Sequence, residues 1–535
     1  MHPRGTDEMR VRDALGPLFT DEDFTSGEFE GMYSSLGQPG LSPAFLLVVT
    51  ILQFRHNLAD REAAQAVADR ISWKYALGLG LDHAGFDFSA LSEFRSRLAQ
   101  EGRADRLLSL MLERLKEAGL VKAGGRQRTD STHVIACVRR LNRIESLGEG
   151  LRAALEEIAR TSPGFIVPLL RPGWDERYGR KVETSRLLRR KNASADRLVE
   201  QIGVDGLSLL DAIDADPTAA WMNQLPQVTF LRTLWDQHFQ RTAAGYLRYK
   251  DVKELPPASE RLHSPYDRDA RYSTKGETEW VGSKAHLSES CDEGLPHLVT
   301  DVHTTGATEP DVTATTAIQD RLIARGLAPG EHLMDAGYPS AEAIAASDQR
   351  GITLIAPIIV STGRNARAGT FTPADFTVDW QAGTARCPAG ALSRSMKRDD
   401  RGLIRFAFSR HDCVPCPVRD QCTRSKNGAA RNIAVHPQPV HEARTRALQA
   451  QGTDEWLATY NARAGIEGTI SQAVRGPGLR HSRYRGLPKV HLQNVLTGLA
   501  LNLTRLGAYF NPSTNPTTRP SKVRELCTAH GLAAA

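Results

Sequence analysis

The sequence predicts an α/β protein: a mixed-sheet core, preceded by a helical region and interrupted by a helical insertion and a Cys-rich insertion. Three observations predict it. In RQRTDSTHVIACVRR, from residue 126, Thr129, Ser131, His133, Ile135 and Cys137 alternate with Asp130, Thr132, Val134 and Ala136, the period of a strand. TEWVGSKAHLSES and GLPHLVTDVHTT are apolar-rich runs separated by a Gly-containing turn, which reads as a hairpin. Beyond residue 310, the helix-like PDVTATTAIQDRLIARG and SAEAIAASDQRG alternate with the strand-like EHLMDAGYPS and TLIAPIIV (353–360), the pattern of an α/β core.

Residues 1–40 show no clear periodicity beyond Phe19, Phe24, Phe29 and Tyr33, and read as an arm docked on the neighbouring helical region. Ser42 with Pro43 joins a cap to a first-turn proline and opens the helix SPAFLLVVTILQFRHN. DREAAQAVADR, SALSEFRSRLAQEG and ADRLLSLMLERLKEAG continue a helical bundle that stops at Gly119. Residues 1–120 thus form a helical region, and residue types alone leave open whether it binds DNA. After the strand at 126, LRAALEEIAR, SRLLRRKNASADRLVEQI, LSLLDAI and VTFLRTLWDQHF are candidate helices of an insertion over about 140–260. A Gly-, Arg-, Pro- and Cys-rich stretch over about 361–440 is a second insertion within a core spanning 121–510. A helix starting at Asp454, the basic loop GPGLRHSRYRG and the apolar helix LPKVHLQNVLTGLALNLTRLG close the core; the tail 511–535 reads as disordered.

At 535 residues the chain exceeds one ordinary core. Its net charge of +6 permits a nucleic-acid partner without demanding one. Charge distribution says more: from Arg463 to Lys489 there are six Lys/Arg and one acid, Glu467. No signal-peptide pattern is readable in MHPRGTDEMRVRD, and FLLVVTILQF is about half the length that spans a bilayer, so the sequence predicts a cytoplasmic protein without a membrane partner.

Two constellations bear chemistry. Asp130, Asp335 and Glu467 stand at element ends, and carboxylates suit Mg²⁺, a hard ion that takes oxygen ligands. Two such ions, about 3.5 to 4 Å apart, activate an attacking oxygen and stabilise a leaving one. Each acid alone has a bland reading: Asp130 as a cap, Asp335 as a helix-leading acid, Glu467 as half of an i,i+4 pair with Arg463. Asp301, in the strand HLVTDVHTT, is a rival carboxylate read as structural or supporting; His286 and His303 are candidate metal ligands or phosphate contacts, though such strand histidines are more often satisfied structural residues. The second constellation is Cys387, Cys413, Cys416 and Cys422. Cys413-x2-Cys416 is a metal knuckle, and four thiolates suit a structural Zn²⁺ site; an iron–sulfur cluster or free thiols stay open. Cys137, Cys291 and Cys527 read as ordinary thiols.

TDST at 129–132, DAGY at 335–338 and the spacing Tyr460-x2-Arg463-x3-Glu467 together resemble the DDE transposases of bacterial insertion sequences, in the broad group of families 4 and 5 and most closely family 1182. LSPAFLLVVTILQFRHNLADREAAQAVADRISWKYALGL resembles their helical N-terminal domain, and GLRHSRYRGLPKVHLQN the segment after their glutamate. The resemblance covers most of residues 40–505. It implies a ribonuclease H-like core in which Asp130, Asp335 and Glu467 are catalytic and hold two Mg²⁺ or Mn²⁺ ions. It further implies an N-terminal DNA-binding domain over 1–120, with Tyr460 and Arg463 positioning DNA phosphate. The family's lysine seven residues past the glutamate is Val474 here, which turns the adjacent Arg475 about 100° around the helix. Arg475, Arg480, Arg483 and Arg485 are therefore the further candidate DNA contacts. The implied partners are double-stranded DNA, as terminal inverted repeats and target, and a second copy in a synaptic homodimer, in the nucleoid of a bacterial cytoplasm. The rival functions are an inactive or repurposed inverted-repeat-binding protein and a ribonuclease H-like nuclease that cuts without joining.

Overall fold

The structure, a computed structural model, describes residues 5–32, 40–100, 102–181, 193–242, 246–359, 370–423, 425, 427–511, 522, 523, 526 and 530. The expectations for Tyr33, for residues 185–192, for Val360 as the end of a strand, for Cys527 and for most of the tail fall outside them. At the centre lies a six-stranded mixed sheet. Its strands are β1 (Arg126–Ile135), β2 (Arg271–Lys275), β3 (Thr278–Ser290), β4 (Val299–Gly306), β5 (Glu331–Leu333) and β6 (Thr353–Ile355).

β3 is the longest strand and organises the others. It runs antiparallel to β1 on one side, and on the other it pairs first with β2 and then with β4. β1 then pairs in parallel with β5, and β5 with β6. The hairpin and the α/β alternation read in the sequence are both present, joined by α1 (Ala314–Ala324) and α2 (Ala341–Gln349). The last strand is shorter than TLIAPIIV suggests: it ends at Ile355, ahead of Pro357, which has no N–H to give to a ladder.

The helical insertion occupies the link from β1 to β2, with helices at Arg143–Thr161, Ala193–Ala215 and Pro226–His238 around their own apolar core. The Cys-rich insertion is a small β module with strands Thr377–Asp379, Thr384–Arg386, Ser395–Arg398, Ile404–Ala407 and Asn432–Val435, closed over Phe376, Phe406 and Phe408.

α3 (Gly465–Arg475) carries Glu467, and α4 (Leu487–Tyr509) comes after the basic loop. The middle of α4 is buried on every side, its apolar residues joined there by the buried Gln493, Asn494, Thr497 and Asn502. One side lies on β4, where Gly498 has room for no side chain: a Cβ there would stand 3.0 Å from Val302 Cγ2. Asn502 splices onto the start of β4, accepting from Val299 N at 2.7 Å and donating to Val299 O at 2.9 Å. The other side of α4 meets the N-terminal helices, so these helices and the sheet share one continuous core.

The arm contains a helix, Asp7–Leu15, that the weak periodicity of residues 1–40 does not announce. Arg10 Nε donates to Gly507 O at 2.9 Å, docking it on the end of α4. The helix Pro43–Arg55 starts as its sequence implies: Ser42 Oγ accepts from Phe45 N at 3.0 Å and donates to Asp21 at 2.6 Å. Ser42→Ala is expected to cost about 1 kcal/mol of stability in urea unfolding, the usual worth of an N-cap. No helix among the described residues is long and apolar enough to cross a membrane.

Candidate active site

Asp130 lies at the middle of β1, opposite Leu287 of β3. Beneath it, Thr129 Oγ1 meets Ser288 Oγ at 2.6 Å and His332 Nε2 at 2.7 Å, which locks β1 to both neighbours. Asp130 Oδ1 accepts the N–H of Ser131 at 2.7 Å. Its side chain is 14% exposed. Burial first, and the nearby Asp335 carboxylate second, push the Asp130 carboxyl above its usual range.

Asp335 follows β5 in the turn DAGY. The turn is tight because Gly337 N donates to Asp335 Oδ1 at 2.9 Å; a Cβ on Gly337 would sit 3.1 Å from that oxygen. Tyr338 anchors the turn from below. Fully buried, it reaches His286 Nδ1 through its hydroxyl at 2.7 Å and accepts from Thr315 Oγ1 at its carbonyl at 3.0 Å. The other nitrogen of His286 meets Thr305 Oγ1 at 3.0 Å, so this histidine is satisfied within the sheet.

Glu467 stands in the first turn of α3. The helix expected to run unbroken from Asp454 instead stops at Asn461 and passes through a 3-10 turn at Ala462–Ala464 before α3 begins. Arg128 accounts for the break. Its Nη1 takes the Ala462 carbonyl at 2.5 Å, and its guanidinium lies so close to Gly465 that a Cβ there would clash with it. Ile466, Thr469 and Ala473 form the buried face of α3, while the Glu467 side chain is 64% exposed.

Arg463 joins these distant pieces of chain. Its Nη2 donates to Glu467 Oε1 at 2.8 Å, and its Nη1 approaches Asp130 Oδ2 at 3.3 Å. Burial lowers the Arg463 pKa, but Tyr460 and the two carboxylates outweigh it and raise it overall. Tyr460 stacks on Trp456, with ring centroids 4.7 Å apart. Among the described residues, no three His, Cys, Asp or Glu side chains are arranged to hold a metal ion. Asp335 acts on Asp130, while Glu467 is drawn to Arg463.

A fourth carboxylate belongs to this neighbourhood. Asp311, just after β4, accepts from Ser131 Oγ at 2.9 Å and pairs with Lys284 Nζ at 2.9 Å. Burial would raise its pKa, but Lys284 outweighs that and holds it low. The sequence gives no hint of this, because an acid leading a helix is ordinary. Asp301, by contrast, is fully buried and committed to Arg321, at 2.7 Å, and to Arg325. His303 Nδ1 meets Arg321 Nη1 at 2.8 Å.

Residues 386–507 match the family model described as transposase DDE domain, and residues 7–97 match that of a transposase domain, DUF772. Together they support an insertion-sequence DDE transposase. No curated protein and no solved structure matches the chain. Glu467, the basic loop and the four clustered cysteines fall inside the DDE match; Asp130 and Asp335 lie outside both matches.

The basic residues after Glu467 divide by surroundings. Arg475 and Arg485 are exposed, Arg485 lying over the Tyr266 ring at 5.1 Å. Arg480 Nη1 sits 2.6 Å from His133 Nε2, and burial, then Arg480, push that imidazole down to about 4. Arg483 turns inward, donating to Leu58 O at 3.2 Å and to Asn57, with its guanidinium over Phe54. This ties the basic loop to the N-terminal helices. Cys387, Cys413, Cys416 and Cys422 line one cavity of about 660 Å³, and Cys387 Sγ accepts the N–H of Ala391 at 3.3 Å. Cys137 is an exposed free thiol and Cys291 a buried one.

Proposed function

We propose that the chain is a DDE transposase that binds terminal inverted repeats, cleaves the element's ends by phosphodiester hydrolysis and joins the freed 3′-hydroxyl to target DNA. The observation that carries this reading is Arg463, which spans Asp130 on the sheet and Glu467 on α3 beside the Asp335 turn. The sheet, with β3 antiparallel to β1 and β5 and β6 parallel to it, supports a ribonuclease H-like core. The likeness to family 1182 remains part of the proposal.

The donor chemistry fits divalent cations. Asp130 and Asp335 are oxygen donors close enough for one to raise the other's pKa, a repulsion that Mg²⁺ or Mn²⁺ offsets. Asp130 and Asp335 would hold the ions from the sheet, with Glu467 completing the set from α3. When bound, the ions supply charge neutralisation of the scissile phosphate and a nucleophile at neutral pH. Water, then the 3′-hydroxyl, attacks phosphorus in line, and one set of carboxylates serves both transfers. Arg463 and Tyr460 hold the phosphate against them, and exposed Arg475 and Arg485 take flanking phosphates. The N-terminal helices read the repeats, and two chains pair the two ends on the nucleoid DNA of a bacterial cytoplasm.

The experiment is an end-cleavage and strand-transfer assay with Mg²⁺ on the DNA flanking this reading frame. Cleaved and joined products are expected. Cleavage without joining supports a nuclease, and binding without cleavage an inactive or repurposed repeat-binding protein.

The Cys-rich module is proposed to hold a structural Zn²⁺. Four soft donors line its cavity, and the Ala391 N–H is donated to Cys387 Sγ. Metal analysis of purified protein is expected to give about one zinc per chain, lost in Cys413→Ser with a lower melting temperature. Unchanged zinc content and melting in that variant removes the site.

A further inference from the structure

A second concentration of positive charge lies apart from Asp130, between the helical insertion and the sheet. A cavity of about 470 Å³ there is lined by Arg140, Arg143, His238, Arg261 and His263, among others. Arg143 opens the helix Arg143–Thr161 and His238 closes the helix Pro226–His238, so the fold of the insertion brings them together. Arg143 Nε donates to His238 Nδ1 at 2.8 Å, its Nη2 to Lys250 O at 2.5 Å, and its guanidinium stacks 3.7 Å from the Tyr249 ring centroid. Arg261 Nη2 donates to Pro256 O at 2.9 Å.

The carboxylate that lines this cavity, Glu145, is engaged elsewhere. Among the described residues, neither Arg143 nor Arg261 is paired with a carboxylate within ion-pair distance. Glu145, on the same wall, turns to the N–H of Asn142 at 2.9 Å and to Arg139 at 3.5 Å. Glu279 takes Arg140 at the rim, at 2.8 Å. Asp251 acts on Arg143 only through its field. In addition, Arg261 Nε and His263 Nε2 are buried without a hydrogen-bond partner.

Arginine does not shed its proton in a protein, so two half-buried guanidiniums face one cavity charged. Burial, and then the neighbouring arginines, push His238 down to about 3 and His263 to about 4, so both rings are neutral. An unsatisfied buried donor is costly, and like charges add to that cost. A tetrahedral oxyanion with several acceptors relieves both, and guanidinium forks match phosphate geometry.

We propose that this pocket binds a phosphate group, from a DNA backbone or a free phosphate compound, between Arg143 and Arg261 with Arg140 at its mouth. The proposal does not depend on which carboxylates are catalytic.

The test uses the full chain and two readouts. The first is the melting temperature in inorganic phosphate against chloride at matched ionic strength. The second is the salt dependence of double-stranded DNA affinity. Phosphate is expected to raise the melting temperature of the native chain but not of Arg261→Gln. If the pocket seats a backbone phosphate, Arg261→Gln also reduces the slope of log K against log salt by about one. If the source is a free phosphate compound, that slope stays unchanged. Arg140→Gln, at the exposed rim, weakens the same responses and serves if Arg261→Gln does not fold. A native chain whose melting ignores phosphate, together with DNA salt slopes unchanged in both variants, overturns the proposal.

Discussion

Asp130→Asn, Asp335→Asn and Glu467→Gln are each expected to lower Mg²⁺-dependent cleavage of an inverted-repeat substrate by about a thousandfold or more, on the order of 4 kcal/mol in barrier. Binding of the same DNA is expected to stay within a few-fold, because its affinity comes from phosphate contacts elsewhere. Each change is nearly isosteric and removes a charge proposed to ligate a cation. For Asp130 it also removes a burial cost, since its carboxyl is raised by burial and by Asp335. Asp130→Asn should therefore be no less stable than the native chain while losing activity. Near-native cleavage by any one variant takes that residue out of the site.

Glu289→Gln is expected to destabilise the fold by about 3–5 kcal/mol, the cost of leaving buried charge uncompensated. Glu289 is fully buried on β3. It pairs with Arg128 Nε at 2.6 Å and Arg505 Nη1 at 2.5 Å, and accepts from Thr469 Oγ1 at 2.5 Å. Three elements meet there: β1 through Arg128, α4 through Arg505 and α3 through Thr469. Because Arg128 also holds the Ala462 carbonyl, the same loss frees the turn that aims α3. Urea unfolding measures the first effect and end cleavage the second. A loss below about 1 kcal/mol would mean that the cluster is solvated rather than buried.

The sheet was legible because its signals are local. The alternation from Arg126 and the two runs of the hairpin can be read within ten or so residues, and these elements form where the pattern places them, although Asp130 lies at the middle of β1 rather than at an element end. The spacing Tyr460-x2-Arg463-x3-Glu467 was only partly legible as structure. Periodicity registers neither the 3-10 turn nor its cause, because Arg128 lies far away in sequence. Asp311 was invisible for the same reason: it enters the site through Ser131 and Lys284, contacts that only the folded sheet creates. The inward turn of Arg483 comes from the N-terminal helices sharing the core of α4, which its basic surroundings in sequence do not suggest.

Cation binding by carboxylates beside Arg463 is the centre of the proposed chemistry, and a change of donor atom tests it most directly. Asp335→Cys replaces a hard oxygen with a soft sulfur, which Mg²⁺ disfavours and Mn²⁺ tolerates. The measurement is end cleavage by this variant in Mg²⁺ and in Mn²⁺. Carboxylate-held ions predict no detectable cleavage in Mg²⁺ and substantial recovery in Mn²⁺. Equal activity in the two ions, whether lost in both or kept in both, would contradict a metal ligand at Asp335.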